Sequence, residues 1–325
     1  WHEMMDDPQI DVISVATPPA SHVEIACRAM RSGKHVLLEK PAALDMKGAD
    51  ELKIAQQETG KVIMVNHMLR YNPIVKAFVE LGKLEVFGKL RHAEVTNYAQ
   101  DNSLPEDHWF WDRELSGGIL VEHGVHFFDI INGLTPQRVQ QVNGVSHFRN
   151  AKQQDQVAAM VLYSEGLIAN HYHSFSGPGF FERTTIRLMY DLAKVEISGW
   201  IPLNGAIEVL VNEQSKEAIK LLQGLRVNKQ CNIDDLVDIS RPEGWGETEG
   251  ANGADIECAG QRYGVQEMIT AEFKLTQDKS EVYGTCVQDI LLDLVAKIED
   301  PAHQTRVTLE DAVESLKIAI EASSA

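Results

Sequence analysis

A chain of 325 residues is long enough for two compact domains, because single hydrophobic cores stop growing at about 250–300 residues. Its content of 44% hydrophobic and 24% charged residues is typical of a soluble globular protein. The formal net charge of −18 argues against a nucleic-acid partner or an anionic membrane surface, since both need clustered Lys and Arg.

Cysteine usage and hydropathy favour a cytoplasmic protein. The four cysteines, Cys27, Cys231, Cys258 and Cys286, show no C-x-x-C spacing, which argues against a disulfide framework or a zinc ribbon. No apolar run reaches the roughly 18 residues of a membrane span, and no signal-peptide pattern opens the chain. The opening residues 1–5 resemble the end of a helix. We therefore expect a reducing compartment and no membrane partner.

The first part of the chain alternates short apolar runs with helical segments. Ser21 and Glu24 predict a capping box, and Gly33 ends the helix that it starts. Asp45 and Gly60 bound the next helix. Three apolar runs predict strands buried on both faces: 10–16, 35–38 and 62–65. The alternation predicts an α/β fold with a doubly wound parallel sheet.

From residue 91 the pattern changes to consecutive strand-like segments. Several alternate polar with apolar residues, as in a mainly antiparallel sheet with one face covered. A helix around 121–131 interrupts them. The segments are 91–98, 139–147, 157–163, 167–173, 184–189, 194–198 and 207–211.

The C-terminal region is predicted to be a long loop followed by two helices. Residues 240–264 are rich in Gly and Glu and hold no period. Thr308 and Asp311 form a capping box for the last helix. Apolar residues every four positions predict the buried face of the helix before it: Val282, Cys286, Ile290, Leu294 and Ile298.

Two predicted strands end in unusual residues, at the edge where parallel sheets bind ligands. Thr17-Pro18-Pro19 follows the first strand, and Glu39-Lys40-Pro41 follows the second. Proline cannot donate to the ladder, so each strand ends sharply there and Lys40 lies at the mouth of the sheet. A surface lysine and a lysine beside a cofactor fit this tripeptide equally well.

A second cluster combines glycines with acidic and histidine side chains. Gly117 and Gly118 allow a backbone to approach a ligand closely at a helix start. Glu122 and His126 are four apart and share one helical face, and Asp129 could orient the His126 imidazole. A histidine held by a carboxylate is a good general acid or base near neutral pH. A half-buried polar helix start is the alternative interpretation.

We expect no catalytic metal. Glu122, His123 and His126 lack a further ligand at fixed spacing, and adjacent helical residues point about 100° apart. His171 and His173 share one face of a predicted strand, where they could be ligands or line a pocket. The absence of a G-x-S-x-G elbow argues against a Ser-His-Asp hydrolase.

With both clusters in hand, the chain resembles the glucose–fructose oxidoreductase / inositol dehydrogenase / MocA family. The matching stretches span nearly the whole chain in the family's order: 11–19 with Ser21-His22, Glu39-Lys40-Pro41, 66–73, 117–129 and a closing helical hairpin over about 283–322. Three features depart from the family's pattern: Glu122 stands where Asp is common, Ser116-Gly117-Gly118 replaces three glycines, and Trp109-Phe110-Trp111 replaces a Trp-Arg pair.

The resemblance implies an incomplete Rossmann domain over 1–95 and an α+β domain with a large open antiparallel sheet over 96–280. Helices within 281–325 are expected to pack back near the first domain, and the open sheet is expected to form a homodimer or homotetramer. A Rossmann domain opens with a strand and G-x-G-x-x-G, which nothing before Asp11 supplies. We therefore expect the pyrophosphate loop either to precede this sequence or to be truly absent, and true absence would expose the first strand as a hydrophobic edge.

The resemblance also implies NAD or NADP as cofactor and a small-molecule sugar, cyclitol or related polyol as substrate. Lys40 would touch the reacting oxygen, and His126 would carry the proton with Glu122 beside it. Cofactor contacts are expected from Thr17, Pro18, Pro19, His22, Glu39, Lys40, Asn66 and Arg70. Substrate contacts are expected from Tyr71, Trp109, Trp111 and His173.

Three functions fit these features. The first is a dehydrogenase or reductase in which His126, polarised by Glu122, takes the hydroxyl proton while Lys40 stabilises the developing alkoxide. The second is a glycosidase that uses bound NAD transiently, as some relatives do. The third is a non-catalytic, sugar-sensing relative. Joint retention of Lys40, Glu122 and His126 favours the first, because a sensor needs no proton carrier.

Overall fold

The computed structural model describes residues 1–233 and 255–324 and begins with a three-stranded parallel sheet. Its strands, in the order β1-β2-β3, are β1 (Val12–Val15), β2 (His35–Leu38) and β3 (Ile63–Val65). Val15 pairs with Leu38, and Leu38 pairs with Val65, so the three carboxyl ends are level. The predicted parallel sheet is confirmed, and the residues that follow each strand emerge at one edge.

Helices cover this sheet, and most of their predicted ends are confirmed. They are α1 (His2–Asp6), α2 (His22–Arg31), α3 (Met46–Thr59) and α4 (Pro73–Lys83). Asp45 accepts a hydrogen bond from the Gly48 amide, and Gly60 ends α3 with a φ of 63°. The predicted capping box at Ser21 is wrong. A 3₁₀ turn leads directly into α2, so the Ser21 hydroxyl bonds back to Thr17 Oγ1 at 2.7 Å.

A nine-stranded sheet forms the second layer, in the order β11-β14-β10-β9-β8-β4-β7-β6-β5. All its strand pairs are antiparallel except β4 with β7, so the mainly antiparallel prediction is confirmed with one parallel exception. The seven predicted strands are β4 (Leu90–Gln100), β5 (Val139–Phe148), β6 (Gln154–Tyr163), β7 (Ile168–Gly177), β8 (Arg183–Tyr190), β9 (Ala193–Ser198) and β10 (Asn204–Val211).

Besides α4, four strands and two short helices have no counterpart in the sequence prediction. They are α5 (Arg113–Ser116), α7 (Glu213–Ala218), β11 (Arg226–Asn232), β12 (Asp255–Cys258), β13 (Gln261–Gly264) and β14 (Glu267–Lys274). The loop predicted over 240–264 is wrong for 255–264, where β12 and β13 pair, and 240–254 lies outside the described residues. Ala259 and Gly260 adopt φ values of 50° and 72° at the turn, without the Asn-Gly signal that marks such hairpins.

The chain ends in two helices, of which α9 contacts both sheets. The helix predicted around 121–131 is α6 (Val125–Leu134), and the last two are α8 (Lys279–Glu299) and α9 (Leu309–Ser323). α9 contacts α3, α6, β3 and β5, and α8 contacts β2. The Thr308–Asp311 capping box is confirmed. Through the described part of the chain, no helix is long and apolar enough to cross a membrane. The domain limits near 95 and 280 stay a prediction.

The contact between α9 and β5 can be tested at one glycine. A Cβ on Gly144 of β5 would overlap the carbonyl of Ala322 on α9. Because backbone cannot move aside cheaply, Gly144→Ala should lower the free energy of unfolding by about 1–3 kcal/mol. Gly284→Ala is the matched control: nothing lies within 4 Å of its added Cβ on the exposed side of α8, and it should stabilise the helix by about 0.5–1 kcal/mol. Urea-induced unfolding measures both, and an unchanged Gly144→Ala variant would contradict the packing.

Candidate functional site

A pocket of about 380 Å³ lies where the carboxyl ends of β2 and β3 face the nine-stranded sheet. Glu39 and Lys40 follow β2 directly, and Asn66 follows β3. The opposite wall is formed by side chains from the large sheet and the helices that cover it: Asn97, Glu122, His123, His126, Phe175, Glu182, Thr184, Trp200 and Tyr283. Both sequence clusters therefore reach one cavity.

An ion pair between Lys40 and Glu122 crosses this pocket. The Lys40 Nζ donates to the Glu122 carboxylate and, at 2.7 Å, to the Glu122 backbone carbonyl. The two side chains are 15% and 14% exposed, so water screens their attraction only weakly. This pair joins the end of β2 to a segment 82 residues further along the chain.

The backbone around Glu122 differs from the predicted α-helix. Residues Leu120–Gly124 form a π-helical turn, entered through Gly117 and Gly118 with φ values of 80° and 90°. Such turns insert an extra residue and recur at functional sites. Glu122 therefore bonds to Lys40, whereas the Nδ1 of His126 has no hydrogen-bond partner in the described residues. The predicted orientation of His126 by a carboxylate is wrong for Asp129 too, because that side chain pairs with Arg70 at 3.2 Å.

His123 and His126 line the pocket, and His67, His171 and His173 pack behind them. The His126 ring centroid lies 6.2 Å from that of His67 and 6.3 Å from that of His123. His173 lies 5.6 Å from His123 and 6.2 Å from His171. Burial, assisted by the charge of Lys40, lowers the pKa of His126 well below its ordinary value. His126 is therefore neutral near pH 7 and can accept a proton.

The other residues predicted to bind a cofactor lie around the same strand ends. His22 is fully buried, and its two ring nitrogens lie 2.8 Å from the carbonyls of Thr17 and Pro41. It thereby links the loop after β1, which contains Pro18 and Pro19, to the loop after β2. Asn66 donates to Glu39 Oε1 at 2.6 Å, which fixes the carboxylate at the edge of the pocket.

The remaining predicted residues are held away from the pocket wall. Arg70 is buried against Asp129, and the Tyr71 hydroxyl donates to Asp293 at 2.5 Å. Trp111 donates to the Leu104 carbonyl at 3.2 Å beneath the Arg149 guanidinium. None of the four predicted substrate residues lines the cavity. Tyr71, Trp111 and His173 are buried elsewhere, and the Trp109 ring lies against that of His108.

Comparison with known proteins agrees with this architecture. A family model described as an oxidoreductase family with an NAD-binding Rossmann fold matches residues 1–67, and the GFO/IDH/MocA C-terminal domain matches 75–190. The chain belongs to the GFO/IDH/MocA oxidoreductase family. Together the two matches cover more than half of its length.

Individual relatives of this family member match over part of their length. A 1,5-anhydro-D-fructose reductase of Ensifer adhaerens is 29% identical over 180 residues, or 54% of this chain and 53% of that protein. The scyllo-inositol 2-dehydrogenase (NAD(+)) of Bacillus subtilis is 26% identical over 152 residues, or 46% and 42%. The chain thus spans about half the length of the curated relatives it matches.

Solved structures show the same fold at low identity. An oxidoreductase domain protein from Kribbella flavida has a TM-score of 0.72 at 16% identity, covering 100% of this chain and 80% of that one. A levoglucosan dehydrogenase in complex with NADH gives the same TM-score, identity and coverage. At this identity the likeness establishes the fold alone.

Several pocket residues of this GFO/IDH/MocA protein were missed by sequence reasoning. Asn97 follows Ala93 and Val95 on the inward face of β4. A polar residue among alternating buried positions could have been recognised from the sequence as a candidate for the site. Trp200 follows Gly199, whose φ is 100°, at the end of β9. Tyr283 lies on α8, and only the tertiary fold brings it to Trp200.

The histidines around the pocket are potential metal ligands. Over residues 1–233 and 255–324, no group of three or more His, Cys, Asp or Glu side chains converges as a ligand set. Glu122 is occupied by Lys40, and the His123 and His126 rings meet nearly edge-on at 81°. Glu122, His123 and His126 therefore do not form a ligand set in this structure.

The buried histidines predict a strong loss of stability in acid. Burial lowers the pKa of His67, His126, His171 and His173 in the folded state. Unfolded histidines titrate near pH 6.5, so below that pH the unfolded chain binds more protons, and each such histidine removes about 1.4 kcal/mol of stability per pH unit until its folded pKa is reached. Asp129 acts in the opposite direction, since burial raises its pKa to about 7.

Urea unfolding at pH 7.5, 6.5 and 5.5 measures how steeply the free energy of unfolding falls with pH. His171→Leu should reduce this slope by about 1.4 kcal/mol per pH unit, because His171 packs on Phe128 with both ring nitrogens unpartnered in the described residues. His2→Leu, at an exposed position, controls for the loss of a histidine as such. Wild-type stability that stays constant between pH 6.5 and 5.5 would contradict the burial of these side chains in neutral form.

Proposed function

We propose that the protein is an NAD(P)-dependent oxidoreductase that transfers a hydride between nicotinamide and a hydroxyl or carbonyl group of a sugar, cyclitol or related polyol. The observation that carries this proposal is the placement of Lys40 and neutral His126 in one pocket at the carboxyl ends of β2 and β3. Family membership supports it, as do relatives named as sugar and inositol dehydrogenases.

The strand ends suit the nicotinamide end of such a cofactor. Asn66 is 6% exposed, and its Oδ1 has no hydrogen-bond partner in the described residues, although its Nδ2 is held by Glu39. A buried, unpartnered amide oxygen beside the pocket is an acceptor for a carboxamide or ribose hydroxyl. We assign Thr17, Pro18, Pro19 and His22 to the adjoining cofactor contact, together with Glu39 and Lys40.

The side chains of the pocket supply the proton chemistry. Bound nicotinamide supplies the hydride acceptor or donor. His126 takes the hydroxyl proton, because its lowered pKa leaves the imidazole unprotonated near neutral pH. Lys40 stabilises the developing alkoxide, because its ammonium is the one positive charge on the pocket wall among the described residues. Glu122 holds Lys40 in position and does not itself carry the proton.

We also propose a cytoplasmic homodimer or homotetramer formed through the open face of the nine-stranded sheet. That face exposes apolar side chains on four strands: Tyr98, Val145, Met160 and Ile168 are 46%, 67%, 47% and 41% exposed. An exposed apolar surface of this kind is typical of a protein interface.

Replacement of Lys40 tests the proposed reaction. Lys40→Met should lower kcat by roughly 100- to 1000-fold, because the alkoxide loses its only neighbouring positive charge. The protein is assayed with a panel of polyols, and the formation of reduced nicotinamide is followed by its absorbance. Lys152→Met, on an exposed turn, is the control and should keep wild-type rates.

His126→Asn should lower kcat by roughly 100-fold or more and remove the acid limb of the pH profile. Lys40→Met with unchanged kcat would contradict the assignment of Lys40. Release of an aglycone without net cofactor reduction would instead favour a glycosidase that uses NAD transiently.

A further inference from the structure

The pocket wall carries an excess of negative charge. Three carboxylates border it, Glu39, Glu122 and Glu182, against one ammonium group, Lys40. Three negative charges and one positive charge leave a formal charge of −2. The Lys40 ammonium is already held by Glu122, and the neighbouring histidines are neutral near pH 7. The described wall therefore offers no free cation to an anionic substrate.

The same wall holds buried polar atoms that lack partners. Asn97 is 3% exposed, and its Oδ1 accepts a hydrogen bond from Thr184 Oγ1 at 2.7 Å. Its Nδ2 has no partner in the described residues. The Trp200 Nε1, which can only donate, is likewise unpartnered there. Buried polar groups are costly unless they are hydrogen-bonded, so these positions favour a ligand with several neutral hydroxyls.

An aromatic plate lies beside these polar atoms. The rings of Trp200 and Tyr283 are stacked, with centroids 6.5 Å apart and planes 27° from parallel. The edge of His126 meets Trp200 at 6.0 Å, so the plate adjoins the proposed proton acceptor. A flat apolar surface next to hydrogen-bonding groups fits the C–H face of a saturated ring whose hydroxyls project sideways.

We propose that this site selects an uncharged polyhydroxylated ring, a cyclitol or a neutral sugar, and rejects sugar acids and sugar phosphates. The inference rests on the proposed function and specifies its substrate class. Glu182 supplies the charge discrimination: it is exposed at the rim of the pocket and has no ion-pair partner in the described residues. Trp200 and Asn97 recognise the hydroxyls.

Matched pairs of ligands test the selection directly. D-Glucose and D-galactose are compared with D-glucuronate, D-galacturonate and D-glucose 6-phosphate, and myo-inositol is added as a cyclitol. Binding to the full-length protein is measured by calorimetry and ligand-observed NMR, with and without NAD or NADP. At least one neutral ring should bind, and each anionic counterpart should bind roughly tenfold more weakly, since two carboxylates without an ion-pair partner among the described residues, Glu39 and Glu182, oppose it.

Two variants assign the discrimination to residues. Glu182→Gln should reduce the gap in affinity between neutral and anionic ligands by roughly three- to tenfold, because it strengthens binding of the anionic ligand. Glu314→Gln removes the same charge from the exposed side of α9 and should leave the gap unchanged. Trp200→Phe keeps the aromatic plate but loses the donor, and should weaken neutral ligands by roughly three- to tenfold.

The outcomes separate this proposal from the proposed reaction. An anionic sugar that binds wild type as tightly as its neutral counterpart overturns the selection, as does an unchanged gap in Glu182→Gln or the absence of binding by every neutral ring. Charge-selective binding without any nicotinamide oxidation or reduction keeps the selection and overturns hydride transfer. If the wild-type protein oxidises a uronate as efficiently as the neutral sugar, hydride transfer is kept and the charge selection is overturned.

Discussion

The ion pair of Lys40 with Glu122 is the interaction on which the site depends. It joins the loop after β2 to the π-helical turn before α6, and so ties the parallel sheet to the elements that carry His126. Both side chains are largely buried, and a buried charge is costly when it is unpaired. Pairing therefore holds the two charged groups in a single geometry. The pair thus fixes one ammonium next to a neutral imidazole.

The surroundings of that pair explain how acid–base chemistry is compatible with a buried site. The Lys40 charge acts in the same direction as burial on the pKa of His126, so the histidine stays unprotonated beside an ammonium group. Glu122 balances Lys40 without bonding to His126. His126 can thus act as the base and Lys40 as the positive charge within one cavity. Proton abstraction from a hydroxyl requires both groups.

The sequence was informative wherever the signal is local. The caps at Asp45 and Thr308 lie within three residues of the groups they bind, and both are confirmed. The Lys40 and His126 motifs were also recognisable, because their residue types and order are unusual. The 255–264 hairpin was missed because its strands are four residues long and its Ala259-Gly260 turn lacks the usual residues.

The partners inside the site depend on tertiary structure and could not be predicted in this way. Glu122 was assigned to His126 from α-helical spacing, and a π-helical turn invalidates that spacing. Asn97 and Thr184 meet only through the register of β4 with β8. Trp200 and Tyr283 meet because α8 returns from the end of the chain. Strand register and helix docking are set by the whole core, so single motifs do not encode them.

A double-mutant cycle on Lys40→Met and Glu122→Met tests the central claim most directly. Free energies of unfolding are measured in urea for wild type, both single variants and the double variant. If the pair organises the site, the two single losses together exceed the double loss by at least about 1 kcal/mol, since either change alone leaves a largely buried charge unpaired. Effects that add to within about 0.5 kcal/mol would contradict the account, because they would mean that Lys40 and Glu122 act independently.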